Sequence, residues 1–300
     1  MWKSSAAACR FGVVVTMTAV FGLLAGTTAL AEGSARTRDV VLRHVHSSGK
    51  FNVSESVLER DLDRFMAGSD LVTMTEVHTR RRASALEEPG WHRFWRPGHL
   101  AGECGLTWRT KKWDLVSGTS QRLTGRTFRT ARNDGRKSVG HATTVLLRGV
   151  DSGRTVLVSV AHLPSNVESS SGRGWNHRVP DRVRAYKAAI LGWRRDVRGM
   201  IEQHRPDAVM VTGDWNLDMK RSWVRHWLRS KWDDVGITNL GWKAPLPDGG
   251  TLVDHRFGRT RKRLIDATFL ARASYTWDAH LMHDVASSDH NPYRETVALP

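Results

Sequence analysis

Three polar clusters lie beside apolar runs of the sequence, and each contains side chains that can do chemistry. Glu76 follows one apolar run, Asp214 and Asn216 follow a second, and Asp289 and His290 precede the last apolar run of the chain. Carboxylate and amide oxygens bind hard cations, and imidazole transfers protons near neutral pH. Since an α/β sandwich collects its catalytic groups at the ends of strands, we expect these side chains to meet.

The residue types suit hydrolysis of a phosphodiester, which requires neutralised phosphoryl charge, an aimed water and a stabilised leaving oxygen. Glu76 offers a carboxylate to a divalent cation. His290 is a candidate general base because imidazole titrates near neutral pH. His162, at the end of another apolar run, can donate to the phosphate or protonate the leaving group.

Asp214 and Asn216 alternate along a segment expected to be extended, so their side chains should project to the same side. There the carboxylate can orient the attacking water, and the amide can donate to a phosphoryl oxygen. A turn is the alternative, since Gly, Asp and Asn are frequent turn residues.

Five fragments, in order, resemble motifs of the endonuclease/exonuclease/phosphatase superfamily, which has the fold of deoxyribonuclease I, exonuclease III and neutral sphingomyelinases. The resemblance covers residues 39–300, and the fragments are Thr75-Glu76-Val77, Val160-Ala161-His162-Leu163, Gly213-Asp214-Trp215-Asn216, Leu264-Ile265-Asp266-Ala267-Thr268-Phe269 and Ser288-Asp289-His290-Asn291-Pro292. Any one fragment is a weak signal, whereas five in order with compatible gaps are specific.

The resemblance implies a deoxyribonuclease I-like α/β (α+β) fold, a two-layered β-sandwich flanked by helices. It implies a metal site at Glu76 and Asp289, holding Mg²⁺ or Mn²⁺. It also implies that Asp266 holds the ring of His290. The catalytic set it indicates is His162, Asp214, Asn216, Asp266 and His290.

The chain departs from the family at the first strand, which usually ends with an asparagine. His44 stands where that asparagine is expected, and is therefore a further candidate metal ligand. Asn52 is a more distant substitute. Imidazole is a softer ligand than an amide oxygen, so His44 predicts a shift from Mg²⁺ toward Mn²⁺.

Hydrophobic periodicity predicts the elements that position these residues, with no linker and no internal repeat. Predicted helices cover 54–66 and 180–202. Residues 78–100 are expected to be irregular. The predicted strands are 39–46, 71–77, 102–108, 113–116, 142–147, 155–161, 207–212, 251–255, 264–270, 275–279 and 295–299. Many short strands with few helices favour a single sandwich domain over residues 32–300.

Residues 1–31 have the pattern of a secretory signal peptide, with Lys3 and Arg10 before an apolar run and small residues to Ala31. We expect cleavage near Ala31 and a secreted protein without stable membrane insertion; an uncleaved anchor is the alternative. Cys104 would then be the one cysteine of the mature chain, which excludes an intramolecular disulfide.

The formal charge is +16, and removing Lys3 and Arg10 leaves +14. Such an excess predicts a polyanionic partner. Basic clusters lie at Arg80-Arg81-Arg82, at 126–137 and at 259–263. The first of these is a candidate substrate-binding group, although a charge run can also be only a solvated face.

The favoured hypothesis is a monomeric, secreted, metal-dependent nuclease acting on DNA or RNA. A phosphatase or phospholipase of the same fold, acting on phosphoinositide or sphingomyelin, is the first alternative. A non-catalytic module that binds polyanions is the second, because His44 replaces the usual asparagine.

Overall fold

The structure is a computed structural model that describes residues 40–49, 53–77, 79–96, 103–123, 127–130, 133–138, 140–237, 239–240, 250–251, 263–271 and 275–299. Contacts along the chain divide it into residues 1–38 and 39–300, and every described residue belongs to the second unit. Among these residues, no helix is both long and apolar enough to cross a membrane.

Within the described residues, six strands form the first sheet, in the order β13-β14-β1-β2-β4-β3. Their bounds are β1 Val40–Ser48, β2 Leu71–Thr75, β3 Trp91–Phe94, β4 Cys104–Arg109, β13 Tyr275–Leu281 and β14 Tyr293–Leu299. Only β1 and β2 run parallel here, and helix α1, Glu55–Met66, connects them. A parallel pair requires such a crossover. Helix α2, Arg80–Ser84, follows β2.

The second sheet has the same plan among the described residues, in the order β11-β12-β10-β9-β8-β5. Its strands are β5 Trp113–Arg122, β8 His141–Gly149, β9 Thr155–His162, β10 Ala208–Asp214, β11 Asn239–Leu240 and β12 Asp266–Leu270. Here β9 and β10 are the parallel pair, and the long helix α3, Pro180–His204, connects them. Helix α4, Ser222–Trp232, follows β10, and β6, Thr127–Thr130, pairs with β7, Asn133–Ser138.

Apolar residues hold the layers together on both faces of each sheet. Leu42, Leu106, Val158 and Met210 belong to a cluster that draws on both sheets. A second cluster packs α3 and α4 on the second sheet, and a third packs α1 on the first. Because both faces are covered, all seven residues of β10 are buried, and its carboxyl end is held rigidly.

The two-layered sandwich with flanking helices confirms the predicted fold class. Helix α3 begins at the predicted Pro180 and ends two residues beyond the predicted end. The prediction of an irregular segment at 78–100 is wrong, since α2 and β3 lie there. Strand β5 continues to Arg122 rather than ending at Val116, past a register shift between Leu115 and Ser117.

Several predictions fall outside the described residues. They are the signal peptide at 1–31, the strand at 251–255 beyond its first residue, and the basic cluster at 259–263 apart from Arg263. The backbone of most of the 126–137 cluster is described, in β6 and β7, but its side chains are not.

Candidate active site

Asp214 lies at the centre of the candidate site because of strand register. In the second sheet it pairs with His162 at the end of parallel β9 and with Asp266 at the start of antiparallel β12. Residues in register on neighbouring strands project to the same side. One Oδ of Asp214 lies 3.5 Å from Nε2 of His162, so three separate apolar strands bring their polar ends together.

Gly213 explains why Asp214 can lie so close to β9. Its φ is +146°, and a Cβ there would lie 2.0 Å from the carbonyl oxygen of Ala161. A side chain at this position would push the two strands apart. The Gly-Asp pair is therefore a packing requirement as well as a chemical one.

His290 and Asp266 form the closest polar pair of the site. Nδ1 of His290 lies 2.8 Å from Oδ2 of Asp266, and both side chains are buried. Together with Asp214 they offer ligand atoms within 4.8 Å of one another. The pairing predicted for Asp266 and His290 is present in the structure.

The end of β1 and the last loop hold this pair in place. Ser48 donates to Oδ1 of Asp266 at 3.1 Å, while the hydroxyl of Ser288 donates to the carbonyl of Ser48. The backbone N–H of His290 then donates to the Ser288 hydroxyl at 2.9 Å. Thr251 accepts from the backbone N–H of Asp266 at 3.0 Å. These supporting hydroxyls carry little sequence signal, and motif reasoning did not identify Ser48 or Thr251.

The prediction that His44 is a metal ligand does not hold in this geometry. His44 is fully buried, with Nδ1 2.7 Å from Glu295 and Nε2 2.8 Å from Thr73, so both ring nitrogens have protein partners. His46, two residues further along β1, lies nearer the site, with Nε2 3.4 Å from Oδ1 of Asp266. His44 therefore lies inside β1, which continues to Ser48.

Glu76 and Asp289 lie at the open side of the cluster. Oε1 of Glu76 is 3.9 Å from Nε2 of His162, and its backbone has a φ of +63°, which is uncommon for a residue with a side chain. Asp289 is about half exposed, with Oδ1 4.0 Å from Nε2 of His290. Glu103 also lies beside His162, with its Oε2 3.6 Å from Nδ1 of that ring. It belongs to none of the five motifs, and in the sequence it is only an acid just before β4.

The extended segment predicted for Asp214–Asn216 is wrong, and the alternative turn is present. Asn216 has a φ of +51°, and its backbone N–H donates to Oδ1 of Asp214 at 2.9 Å. Its side-chain amide donates to the carbonyl of Leu163 at 2.8 Å. Asn216 therefore fixes the chain after β9, and its role as donor to a phosphoryl oxygen stays a prediction.

The three arginines predicted to bind substrate differ in environment. Arg82 is half-buried and donates to the carbonyl of Val53 at 3.3 Å, so it supports the backbone. Arg81 pairs with Glu55 of α1. Arg80 is exposed at the first turn of α2, four residues beyond Glu76.

The two buried carboxyl groups of the cluster have pKa values shifted in opposite directions. Burial raises the pKa of Asp214 well above its usual range, and the neighbouring charge of Asp266 raises it further. Burial also acts against ionisation of Asp266, but the charge and hydrogen bond of His290, with a hydrogen bond from His46, lower the pKa of Asp266 overall. A cation bound beside Asp214 and Asp266 would offset the repulsion between their negative charges.

Burial tends to lower the pKa of His290, but Asp266, with Asp214 and Asp289, outweighs it and raises the pKa to about 10. In this arrangement His290 carries its proton at neutral pH. The role of His290 as a general base stays a prediction.

The side chains present fit a divalent cation. The buried carboxylate of Asp214 and the partly exposed carboxylate of Glu76 supply hard oxygen ligands of the kind that Mg²⁺ prefers. Asp289 adds a carboxylate at the solvent side. The raised pKa of Asp214 is a physical reason for a cation at this point.

Two packed sheets with acids and histidines at their strand ends are the architecture of the deoxyribonuclease I-like fold. The chain belongs to the Endonuclease/Exonuclease/phosphatase family, which it matches over residues 31–290. Members of this family are phosphoester hydrolases and are generally dependent on divalent metals. No curated protein sequence matches the chain.

Solved structures share the fold at low identity. TDP2 from D. rerio, complexed with single-strand DNA product, is 13% identical with a TM-score of 0.58, covering 86% of this chain and 99% of its own. The human Nocturnin catalytic domain is 15% identical with a TM-score of 0.60, covering 87% and 96%. A mannosyl-6-phosphatase from Bacteroides thetaiotaomicron is 15% identical with a TM-score of 0.60, covering 86% and 100%.

Proposed function

We propose that this protein is a metal-dependent phosphodiesterase that hydrolyses nucleic acid. The observation that carries the proposal is the convergence of His290, Asp266 and Asp214 within 4.8 Å, beside His162. Two imidazoles and two carboxyl groups therefore converge at one edge of the two sheets. This is the arrangement that in-line attack of water on a phosphoryl centre requires.

Each side chain has a role consistent with its contacts. Asp266 accepts from His290 and fixes the plane of its ring, so the outer nitrogen Nε2 faces the reacting phosphate. Asp214 orients the attacking water through its carboxylate, which a bound cation would keep ionised. His162, beside Asp214, donates to a phosphoryl or leaving oxygen.

Glu76 and Asp289, with Asp214, would hold the divalent cation. When bound, the cation would neutralise phosphoryl charge and lower the pKa of a coordinated water. Mg²⁺ is the favoured ion because the donors are oxygens, and His44 does not contribute an imidazole.

Nucleic acid is the substrate that the charge favours. The chain carries +16, and phosphate contacts release counterions, which drives binding to polynucleotides. The DNA product bound to the D. rerio TDP2 structure supports the same substrate class. The mannosyl-6-phosphatase supports a monoester instead, and is the reason for testing both.

The test is hydrolysis of labelled single-stranded DNA, RNA, a small phosphomonoester and sphingomyelin vesicles at one salt concentration, with Mg²⁺ or with EDTA. We expect cleavage of a nucleic acid that EDTA abolishes and Mg²⁺ restores. Turnover confined to the monoester would contradict the nuclease proposal and favour a phosphatase. Turnover confined to the vesicles would favour a phospholipase.

A further inference from the structure

A second polar surface lies beside the catalytic cluster. It is a cleft of about 910 Å³, walled by the loop that follows β9 and by the segment between β10 and α4. The lining residues that matter here are Glu168, Arg178, Asp218, Arg221 and Arg263. None of the five belongs to the predicted catalytic set.

The cleft is continuous with the site through the chain itself. The loop bearing Glu168 starts directly after His162, and the segment bearing Asp218 starts directly after Asp214. The side-chain amide of Asn216 joins the two segments through the carbonyl of Leu163 at 2.8 Å. Arg263 lies three residues before Asp266. The segments next to the three strand ends that form the cluster therefore line the cleft.

Two arginines of the cleft are held in fixed orientations. Arg263 pairs with the buried carboxylate of Glu168, and Arg221 lies 3.2 Å from the buried carboxylate of Asp218. Each guanidinium has five N–H donors, so a carboxylate leaves donors available for a phosphate. About half of the Arg221 side chain is exposed, and Arg178 is exposed at the mouth of the cleft.

The loop that follows β9 packs closely against the guanidinium of Arg221. Gly172 has a φ of +68°, and a Cβ there would lie 2.8 Å from a guanidinium nitrogen of Arg221. The indole of Trp223 donates to the carbonyl of Gly172 at 2.9 Å, while Glu168 and Trp175 form a β-bridge across the loop. These contacts hold the guanidinium against a defined surface, so binding requires little further ordering.

We propose that this cleft binds the backbone of a nucleic-acid strand beside the scissile phosphate, with Arg221, Arg263 and Arg178 contacting flanking phosphates. The two acids among the described lining residues are each engaged by an arginine, which leaves the cleft cationic. The proposal rests on the proposed function and extends it: the preferred substrate is a polymer that reaches beyond the cleaved bond.

The test compares kcat/KM for a dinucleotide, a hexanucleotide and a dodecanucleotide in wild type, Arg221→Ala and Gly172→Ala. We expect wild-type kcat/KM to rise with length. Arg221→Ala should lower it about tenfold for the dodecanucleotide, as expected for one charge-assisted phosphate contact, and by less for the dinucleotide. Gly172→Ala, which displaces the same guanidinium, should have the same length-dependent effect.

Arg194→Ala is the matched control, because Arg194 also forms a partly exposed pair with an aspartate, Asp234, and does not line the cleft. It should match wild type at every length. An equal loss at all lengths in Arg221→Ala, or the same loss in Arg194→Ala, would overturn the cleft proposal while leaving the nuclease intact.

Binding gives a readout that does not depend on turnover. Polarisation of a labelled dodecanucleotide over a salt series should give a log–log slope lower by about 0.7 in Arg221→Ala, the value for one single-strand phosphate. An unchanged slope would contradict the proposal that the cleft binds a nucleic-acid strand. If wild type cleaves no phosphodiester, the proposed function fails, and the slope still decides whether the cleft binds the strand.

Discussion

At the scale of single residues, the candidate site is organised around one buried carboxylate–imidazole pair, Asp266 and His290. Asp266 and His290 were paired by resemblance, and the structure places them 2.8 Å apart. The supporting roles of Ser48 and Thr251 were not predictable, because hydroxyls beside a strand end are common. The position of His44 was misjudged because β1 continues to Ser48, and no local signal marked that end.

Glu76 provides the first residue-scale prediction. Glu76→Ala should remove most cation-dependent hydrolysis, because it removes a hard carboxylate from the open side of the cluster. The measurement is turnover at limiting Mg²⁺, with Glu87→Ala, at an exposed pair with Arg93, as the control. Wild-type turnover in Glu76→Ala would show that this carboxylate does not hold the cation.

His290 provides a prediction about protonation. By NMR titration in the absence of divalent cations, its imidazole should titrate near pH 10, and Asp266→Asn should lower that pKa. A folded-state pKa above the unfolded value of about 6.5 stabilises the fold fully below pH 6.5. This contribution should be lost as the pH rises toward 10. Titration of His290 at pH 6.5 in the folded protein would contradict the pairing.

His44 provides a prediction that separates structure from metal chemistry. His44→Asn should lower the free energy of unfolding by about 1–3 kcal/mol, since Glu295 and Thr73 lose buried partners. It should leave the ratio of activities in Mn²⁺ and Mg²⁺ unchanged. A changed ratio with unchanged stability would return His44 to the metal site.

At the scale of elements, the strands that carry the site were predictable because each is a short apolar run ended by a polar motif. Strands β9, β10 and β12 lie where the sequence placed them, within a few residues. The turn at Asn216 was the alternative rather than the preferred prediction, because a conformation with positive φ depends on the contact with Leu163. Helix α2 and strand β3 were missed because both are short.

Gly213 gives the element-scale prediction. Gly213→Ala should destabilise the fold by several kcal/mol and abolish hydrolysis, because the new Cβ meets the Ala161 carbonyl oxygen at 2.0 Å. Thermal unfolding is the measurement. Gly199→Ala is the control: within helix α3 its Cβ meets no atom within 4 Å, and it should stabilise the protein by about 0.5–1 kcal/mol. Equal stability of the two variants would contradict the packing argument.

At the scale of the whole molecule, the sandwich was predictable from the order of elements, whereas the way its two sheets share a site was not. The resemblance predicted that His290, just before β14, meets Asp266 of β12, but nothing in the sequence predicted the contacts of β1 and β14 themselves with β12. In the structure, Glu295 of β14 accepts from Thr268 of β12 at 2.6 Å, and Ser48 of β1 donates to Asp266. These polar contacts depend on long-range packing, which single-sequence periodicity does not describe.

The net charge gives the whole-molecule prediction. An inactive His290→Ala protein should bind DNA and RNA with an affinity that falls steeply with salt, and should bind anionic vesicles more weakly. Charge reversal of Arg80 and Arg81 should weaken binding to all sequences alike, since phosphate contacts carry no base information. Tight vesicle binding with negligible nucleic-acid binding would favour the lipid alternative.

The central claim is that the cluster of Asp214, Asp266 and His290 is the catalytic centre for phosphodiester cleavage. The most direct measurement is kcat/KM on a labelled oligonucleotide with saturating Mg²⁺, for wild type, His290→Ala and Asp266→Asn, with folding of each verified by circular dichroism. We expect wild type to cleave and each folded variant to lose at least about a hundredfold, the usual contribution of a positioned acid or base. Folded variants that cleave at the wild-type rate would contradict the claim.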